Sequence, residues 1–263
     1  MLSIGIDVGS SATKAVAFNG QVLGSIVIPT GWNPKEAGAQ ALEQVLQVAG
    51  VSREQVGKII GTGYGRISMP FLDKRVTEIS CHAKGAIVSF PDTRTVIDIG
   101  GQDSKVISVG DGGSVRDFVM NDKCAAGTGR FLQVMTGVMD ITLDELGQLA
   151  IEGEPIAINS MCTVFAESEI IGLLAQGVSK GAIAGGIVRT IGSRLQSLTG
   201  RIPLEEAVTF TGGVANNPAI CALLSQQLGV KFNVPTHPQI MGALGAAVIG
   251  YEQLSSHDEL INK

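Results

Sequence analysis

The sequence predicts an α/β fold of two duplicated lobes around a cleft, and three observations carry that expectation. Residues 4–18 (IGIDVGSSATKAVAF) match residues 96–109 (VIDIGGQDSKVISV) through an apolar run, Asp-x-Gly, a small or polar turn, and a Lys seven residues after the Asp. Runs with near-helical apolar spacing fill the intervals between strand-like segments. The chain is also apolar, with 44% hydrophobic residues, 16% charged residues and a mean hydropathy of +0.30 over 263 residues. Such a chain can bury a large core.

Each matched segment reads as strand, tight turn, strand, because apolar residues flank a Gly-rich break. Asp7 corresponds to Asp98, Gly9 to Gly100 and Lys14 to Lys105. A third strand follows each copy, at 22–28 and at 115–120, giving two three-stranded meanders about 91 residues apart. Helical spacing predicts helices at 35–48, 131–139, 165–175, 183–198 and 218–228. Further strands are expected at 58–60, 207–211 and 230–233. A last helix, about 242–253, is expected to cross back, so that residues 1–94 with 240–263 form the first lobe and 95–239 the second.

Net charge is −5 with a pI near 5.2, which disfavours a broad nucleic-acid footprint or an anionic membrane surface. The longest apolar stretch, GALGAAVIG at 242–250, is far short of the ~20 residues of a membrane span. Asp7 interrupts the N-terminal run where a secretory h-region would be apolar. A cytoplasmic location is therefore expected. The four cysteines (Cys81, Cys124, Cys162, Cys221) are then read as thiols or ligands rather than disulfides. No CxxC, HExxH, EF-hand or GxxxxGK[ST] pattern is present, so a nucleotide site would need another type of loop.

The two Asp-x-Gly turns supply one. Gly9-Ser10-Ser11-Ala12 offers backbone N–H groups with little obstruction, which suits phosphate oxygens. Ser10, Ser11 and Thr13 add hydroxyls, and Lys14 adds positive charge. Gly100, Gly101, Gln102 and Asp103 offer the counterpart. Asp7 and Asp98 facing one cleft would repel unless a cation lay between them, and Mg²⁺ with retained waters fits. Asp7, Asp98 and Gln102 are the catalytic candidates. Hairpin turns whose Asp side chains merely cap local N–H groups are the alternative. A third Gly turn, AVTFTGGVANN at 207–217, reads as strand, Thr211-Gly212-Gly213, then a helix capped by Asn216 or Asn217 with Pro218 at its start. Gly212, Gly213 and Asn216 could receive the adenosine end.

Together GIDVGSSATK, VIDIGGQDSK, VTFTGGVANN and QIMGALGAAV, the last including Gln239, resemble the phosphate, adenosine and connection motifs of a known superfamily. It is the acetate/sugar kinase, heat-shock chaperone and actin superfamily, whose lobes are RNase H-like. GTGYGR (61–66), NDKCAAGTGRF (121–131) and CTVFAESEII (162–171) narrow the resemblance to one branch. That branch is the ATP-dependent activators of 2-hydroxyacyl-CoA dehydratases, the BadF/BadG/BcrA/BcrD ATPases. Related subunits serve benzoyl-CoA reductases and double-cubane-cluster proteins.

Cys124 and Cys162 are too far apart in sequence for a single-chain zinc site. Each precedes an expected helix, whose unpaired N–H groups favour negative charge on sulfur. An Fe–S cluster normally takes four thiolates, so a two-fold dimer would satisfy the count; two buried structural cysteines are the alternative. The resemblance implies the dimer, with one 4Fe-4S cluster per homodimer held through these two motifs. It also implies ATP/ADP as ligand, a low-potential donor such as ferredoxin or flavodoxin, and an Fe–S acceptor enzyme in an anaerobic setting. Cys221 reads as core. Gly127, Thr128 and Gly129 are expected to bring a helix start to the phosphates. Glu78 and His82, four apart, could share a helix face, where one of them would help to position the attacking water; a satisfied core or capping histidine is the preferred reading. Competing readings on the same fold are a small-molecule kinase, which would need a substrate-binding insertion, and a chaperone-like or filament-forming ATPase.

Overall fold

The computed structural model describes residues 1–122, 126–158 and 162–261, with side chains as far as residue 256. The chain forms two compact α/β units. The first comprises Met1–Thr93, Val109–Arg116 and Pro235–Lys263; the second comprises Arg94–Ser108 and Asp117–Val234.

In the first unit β1 (Ser3–Val8), β2 (Ala12–Phe18) and β3 (Val22–Pro29) form an antiparallel meander. β4 (Lys58–Thr62) joins the free side of β1 in parallel, and the two-residue β5 (Lys74–Arg75) joins β4, giving the order β3-β2-β1-β4-β5. All of β1 is buried, because helices cover both faces. Ile4, Ile6 and Val8 pack with Ala41 and Val45 of α1 (Pro34–Ala49). The odd positions face α8 (Met241–Ile261): Ser3 Oγ donates to Ala247 O at 2.6 Å, and a Cβ on Gly5 would collide with Ala243 O. That alternation carries Asp7 to the first turn of α8, where a Cβ on Gly242 would lie 3.1 Å from Asp7 Oδ2.

α2 (Glu78–Ser89) crosses α8 through glycine. A Cβ on Gly245 would strike the Cys81 carbonyl, and one on Gly85 would strike the Met241 carbonyl. Backbone atoms cannot yield there as a flexible side chain would. Gly245→Ala is therefore expected to destabilise the fold by about 2 kcal/mol or more, read as a lower urea midpoint. A midpoint equal to wild type would show that the helices separate freely.

The second unit repeats the order. β6 (Thr95–Ile99) pairs antiparallel with β7 (Ser104–Val109), beyond which lies β8 (Val115–Asn121). β9 (Val208–Gly212) pairs with β6 in parallel, and β10 (Phe232–Asn233) with β9. α3 (Gly129–Met139), α4 (Leu143–Glu152), α5 (Thr163–Ala175), α6 (Lys180–Thr199) and α7 (Pro218–Leu228) surround the sheet. Phe131, Met135, Ile170, Ile187, Ile191 and Phe210 are among the residues of its core.

Most expected elements are present with slightly longer bounds. α8 runs past the expected end near 253, and within it a Cβ on Gly250 would meet Ile60 Cγ1 at 2.9 Å, so that glycine allows close packing. The 230–233 strand shrinks to two residues, and α4 is an addition. Among the described residues no helix is long and apolar enough to cross a membrane.

Candidate functional site

The duplicated turns have the same register. Asp7 pairs across the strands with Lys14, and Asp98 with Lys105. On the parallel side Asp7 lies beside Thr62 and Asp98 beside Thr211. Each threonine is followed by a glycine with positive φ, Gly63 at +80° and Gly212 at +92°. A Cβ on Gly63 would run into Asp7 Oδ1 and the Val8 carbonyl; one on Gly212 would run into the Ile99 carbonyl and lie 3.0 Å from Asp98 Oδ1. Both glycines therefore leave room for a buried carboxylate at the end of the central strand.

The lysines are not free cations. Lys14 Nζ lies 3.2 Å from Asp7 Oδ2, and Lys105 Nζ lies 3.3 Å from Asp98 Oδ2. Cross-strand neighbours are close enough for this, and a buried carboxylate without a partner would be costly. In this state the Lys14 charge is paired with Asp7.

The second turn departs from the first at Asp103, which stands where the first has Ala12. Lys105 also donates to Asp103 Oδ1 at 2.8 Å, and Thr211 Oγ1 donates to Asp98 Oδ1 at 2.8 Å. Two buried carboxylates share one ammonium, and Asp103 Oδ2 is buried with no hydrogen-bond partner. A hard oxygen in that condition suits Mg²⁺ or one of its waters. Among the described residues no three His, Cys, Asp or Glu side chains gather into a metal site. Mg²⁺ would therefore need phosphate oxygens and water to complete its shell.

The remaining candidates divide between open and committed. Gly9 N–H closes its hairpin on Ala12 O at 3.1 Å, and Gly100 N–H closes the other on Asp103 O at 2.9 Å. Ser10, Ser11, Gly101 and Gln102 form the tips, with Ser11 and Gln102 exposed. Thr13 is a correction. It is fully buried, and its hydroxyl shares a 2.9 Å hydrogen bond with Thr30, whose own hydroxyl donates to Gly9 O at 2.8 Å. It braces the turn from below. Gly213–Asn216 is a short 3-10 turn rather than the start of the helix. Asn217 is the cap, accepting from Ile220 N–H at 2.9 Å, while Asn216 is exposed and donates to Gly213 O at 3.2 Å. Gln239 is half-buried in the 3-10 turn that leads into α8.

The segment after Cys124 is also corrected. α3 begins at Gly129 with Thr128 as N-cap, and Cys124 itself lies outside the described residues. The helix start does not offer its first amides to phosphate. Gly129 N–H donates to Gly100 O and Arg130 N–H to Gly101 O, both at 2.8 Å. Gly127, at φ +90°, backs onto Arg194. α3 is therefore fixed directly to the Gly100–Gly101 turn.

Cys162 is exposed and is the N-cap residue of α5. Cys81 and Cys221 are buried. Burial pushes the Cys81 thiol up to about 12, with Asp7 and Glu78 reinforcing it, and pushes Cys221 up to about 11. Both are inert by that criterion. Glu78 opens α2, and His82 is buried one turn later, with Nε2 3.0 Å from where a Gly242 Cβ would lie. His82 and the Asp7 carboxylate thus border the same small space beside Gly242. Arg66 donates to Gly63 O at 2.7 Å. The pairing of Thr62-Gly63 with Thr211-Gly212 was the feature missed in the sequence, although both Thr-Gly steps were legible.

Known proteins show the same arrangement of chain. An activator of lactoyl-CoA dehydratase from Anaerotignum propionicum is 44% identical over 96% of this chain and 98% of its own length. A solved structure of the activator of 2-hydroxyisocaproyl-CoA dehydratase from Clostridium difficile, with bound ADPNP, is 38% identical with a TM-score of 0.92, covering 98% of this chain and 97% of that one. A ROK hexokinase from Thermus thermophilus, 19% identical with a TM-score of 0.52 over 97% of this chain and all of its own, shares the fold alone. The family profile extends from residue 4 to residue 250, taking in both Asp-x-Gly turns, both Thr-Gly steps and both cysteine segments, and the chain belongs to the BadF/BadG/BcrA/BcrD ATPase family.

Proposed function

We propose that this protein is an ATP-hydrolysing activator that drives low-potential single-electron transfer from a shared 4Fe-4S cluster to a partner Fe–S enzyme. The partner class is the 2-hydroxyacyl-CoA dehydratases, as for its 44% identical relative, or a benzoyl-CoA reductase-like or double-cubane-cluster protein. The observation that carries the reading is the setting of Cys162. It is exposed at the start of α5, where Val164 (66% exposed) and Phe165 (69%) are also uncovered, with Ile171 two turns on. A soft ligand beside uncovered apolar side chains fits contact with a second copy. The described part of one chain supplies no closed ligand set.

Cys124 and Cys162 from each of two copies would hold the cluster, which supplies a one-electron redox couple. The chain's own residues do the rest. The Ser10–Ser11 and Gly101–Gln102 tips bind phosphate, and Gly212, Gly213, Asn216 and Gln239 serve the nucleotide's other end. Asp7, Asp98 and Asp103 orient Mg²⁺ and its waters. Gln102, exposed at its tip, orients the attacking water. α3, bonded to the Gly100–Gly101 turn, links that turn to the segment that bears Cys124.

Bound ADPNP and ADP should therefore give different cluster EPR spectra or chelation rates in the anaerobically purified homodimer. A ligand shifts such an equilibrium only through its differential affinity for two states. Identical spectra and rates with ADP, ADPNP and no nucleotide would defeat the gated mechanism.

A further inference from the structure

The two turns share a register but not a set of donors at the central carboxylate. Asp98 accepts from Lys105 on Oδ2 and from Thr211 Oγ1 on Oδ1, the latter at 2.8 Å. Among the described residues, Asp7 accepts only from Lys14, on Oδ2 at 3.2 Å. The two Oδ1 atoms nevertheless point the same way, Asp7 Oδ1 towards Gly63 and Asp98 Oδ1 towards Gly212. Thr62 stands beside Asp7 at the register position that Thr211 takes beside Asp98. Yet Thr62 Oγ1 is buried without a hydrogen-bond partner, next to the Cys81 sulfur, which is a weak acceptor. A buried hydroxyl in that condition costs stability and calls for a reason.

The lysines differ in a matching way. Lys105 is held by two carboxylates, at 3.3 and 2.8 Å, with 3% of its side chain exposed. Lys14 has one carboxylate and 14% exposure. A Cβ on Gly9 would lie 3.4 Å from Lys14 Nζ, so the ammonium already borders the turn that would take phosphate. At the corresponding Gly100 the nearest atom is Asp103 Oδ1. The first turn thus faces its ligand with a loosely held cation, and the second with a held carboxylate.

We propose that Thr62 is a positioning residue: when nucleotide binds, Lys14 turns from Asp7 to the phosphate, and the Thr62 hydroxyl rotates to donate to Asp7 Oδ1. No covalent bond changes. The proposal rests on the nucleotide reading of the first turn and adds the exchange of donors that keeps Asp7 oriented. Without a replacement, departure of Lys14 would leave a buried carboxylate with no donor, which is costly. Thr211 shows that a threonine at this register reaches the carboxylate. Cys81 holds the hydroxyl too weakly to compete with a charged acceptor.

The test measures ADPNP affinity by calorimetry and urea midpoints on the full chain. Thr62→Val removes the hydroxyl at nearly constant shape. Without nucleotide its midpoint should equal or exceed that of wild type, because no hydrogen bond is lost. Its ADPNP affinity should fall at least about tenfold, as expected for a hydrogen bond to a charged group. Thr62→Ser keeps the hydroxyl and should bind within about threefold of wild type. Thr211→Val, which breaks a bond already made, should instead lower the midpoint without nucleotide. Beside Lys14→Met, where Asp7 needs the hydroxyl at once, Thr62→Val should lower the midpoint as well. Wild-type affinity in Thr62→Val, an equal loss in Thr62→Ser, or no effect beside Lys14→Met would each overturn the exchange and leave the nucleotide reading in place. Failure of wild type to bind ADPNP would overturn both.

Discussion

Cys162→Ser is expected to abolish cluster binding, lowering iron from about four per dimer to none in anaerobically purified protein, while nucleotide binding persists. The thiol is exposed, so the serine removes a soft ligand without opening a core cavity. Cys124→Ser should do the same. Cys81→Ser and Cys221→Ser should keep their iron, because both thiols are buried and pushed far above neutrality, to about 12 and about 11. In the iron-free protein, alkylation near pH 7 should label Cys162 and spare Cys81 and Cys221. Iron lost from the Cys81 or Cys221 variants, or a full cluster on a monomer, would overturn the ligand assignment.

Asp98→Asn should lower Mg²⁺-dependent ATP turnover by about a hundredfold or more, because it removes a charge that organises the metal and its waters. Its stability should change little. Lys105 keeps Asp103 at 2.8 Å, and an asparagine oxygen can still accept from Thr211. Asp7→Asn should also depress turnover, but it strips Lys14 of the carboxylate seen beside it at 3.2 Å. Loss of one partner from such a pair costs about 3 kcal/mol. Urea midpoints would therefore separate two mutants that look alike in turnover. Equal losses of stability would mean that Asp103 does not hold Lys105, and unchanged turnover in both would return the aspartates to ordinary turn chemistry.

The central strands and hairpins were legible because their repeat is local: Asp, Gly and Lys at fixed spacing force one register. α4 escaped notice although Leu143, Leu146, Leu149 and Ala150 keep helical spacing and Thr142 and Glu145 form a capping box that could have announced it. Thr13 looked like a phosphate donor because the pattern shows residue type but not which face of a strand it takes. Its partner Thr30 is 17 residues away. The Asp–Lys pairing was hidden for a related reason: seven residues apart reads as two separate groups until hairpin pairing sets ammonium against carboxylate. α3 starts two residues ahead of the expected 131, because Thr128 takes extended backbone as N-cap and the helix opens at Gly129, just after Gly127 at φ +90°.

The first unit is assembled from three stretches of chain, and its β1 and α2 remain bare on one side until α8 arrives from residues 241–261. Synthesis at 5–20 residues per second places roughly ten to thirty seconds between completion of Thr93 and emergence of that helix. Through that interval the Gly5 and Gly85 surfaces, shaped for close helix contact, face the nascent-chain environment instead. Biogenesis thus has an imposed order: the second unit can collapse while the first is still waiting. A chain stalled before residue 235 should accordingly be held by chaperones or degraded, rather than accumulate as a half-active nucleotide binder.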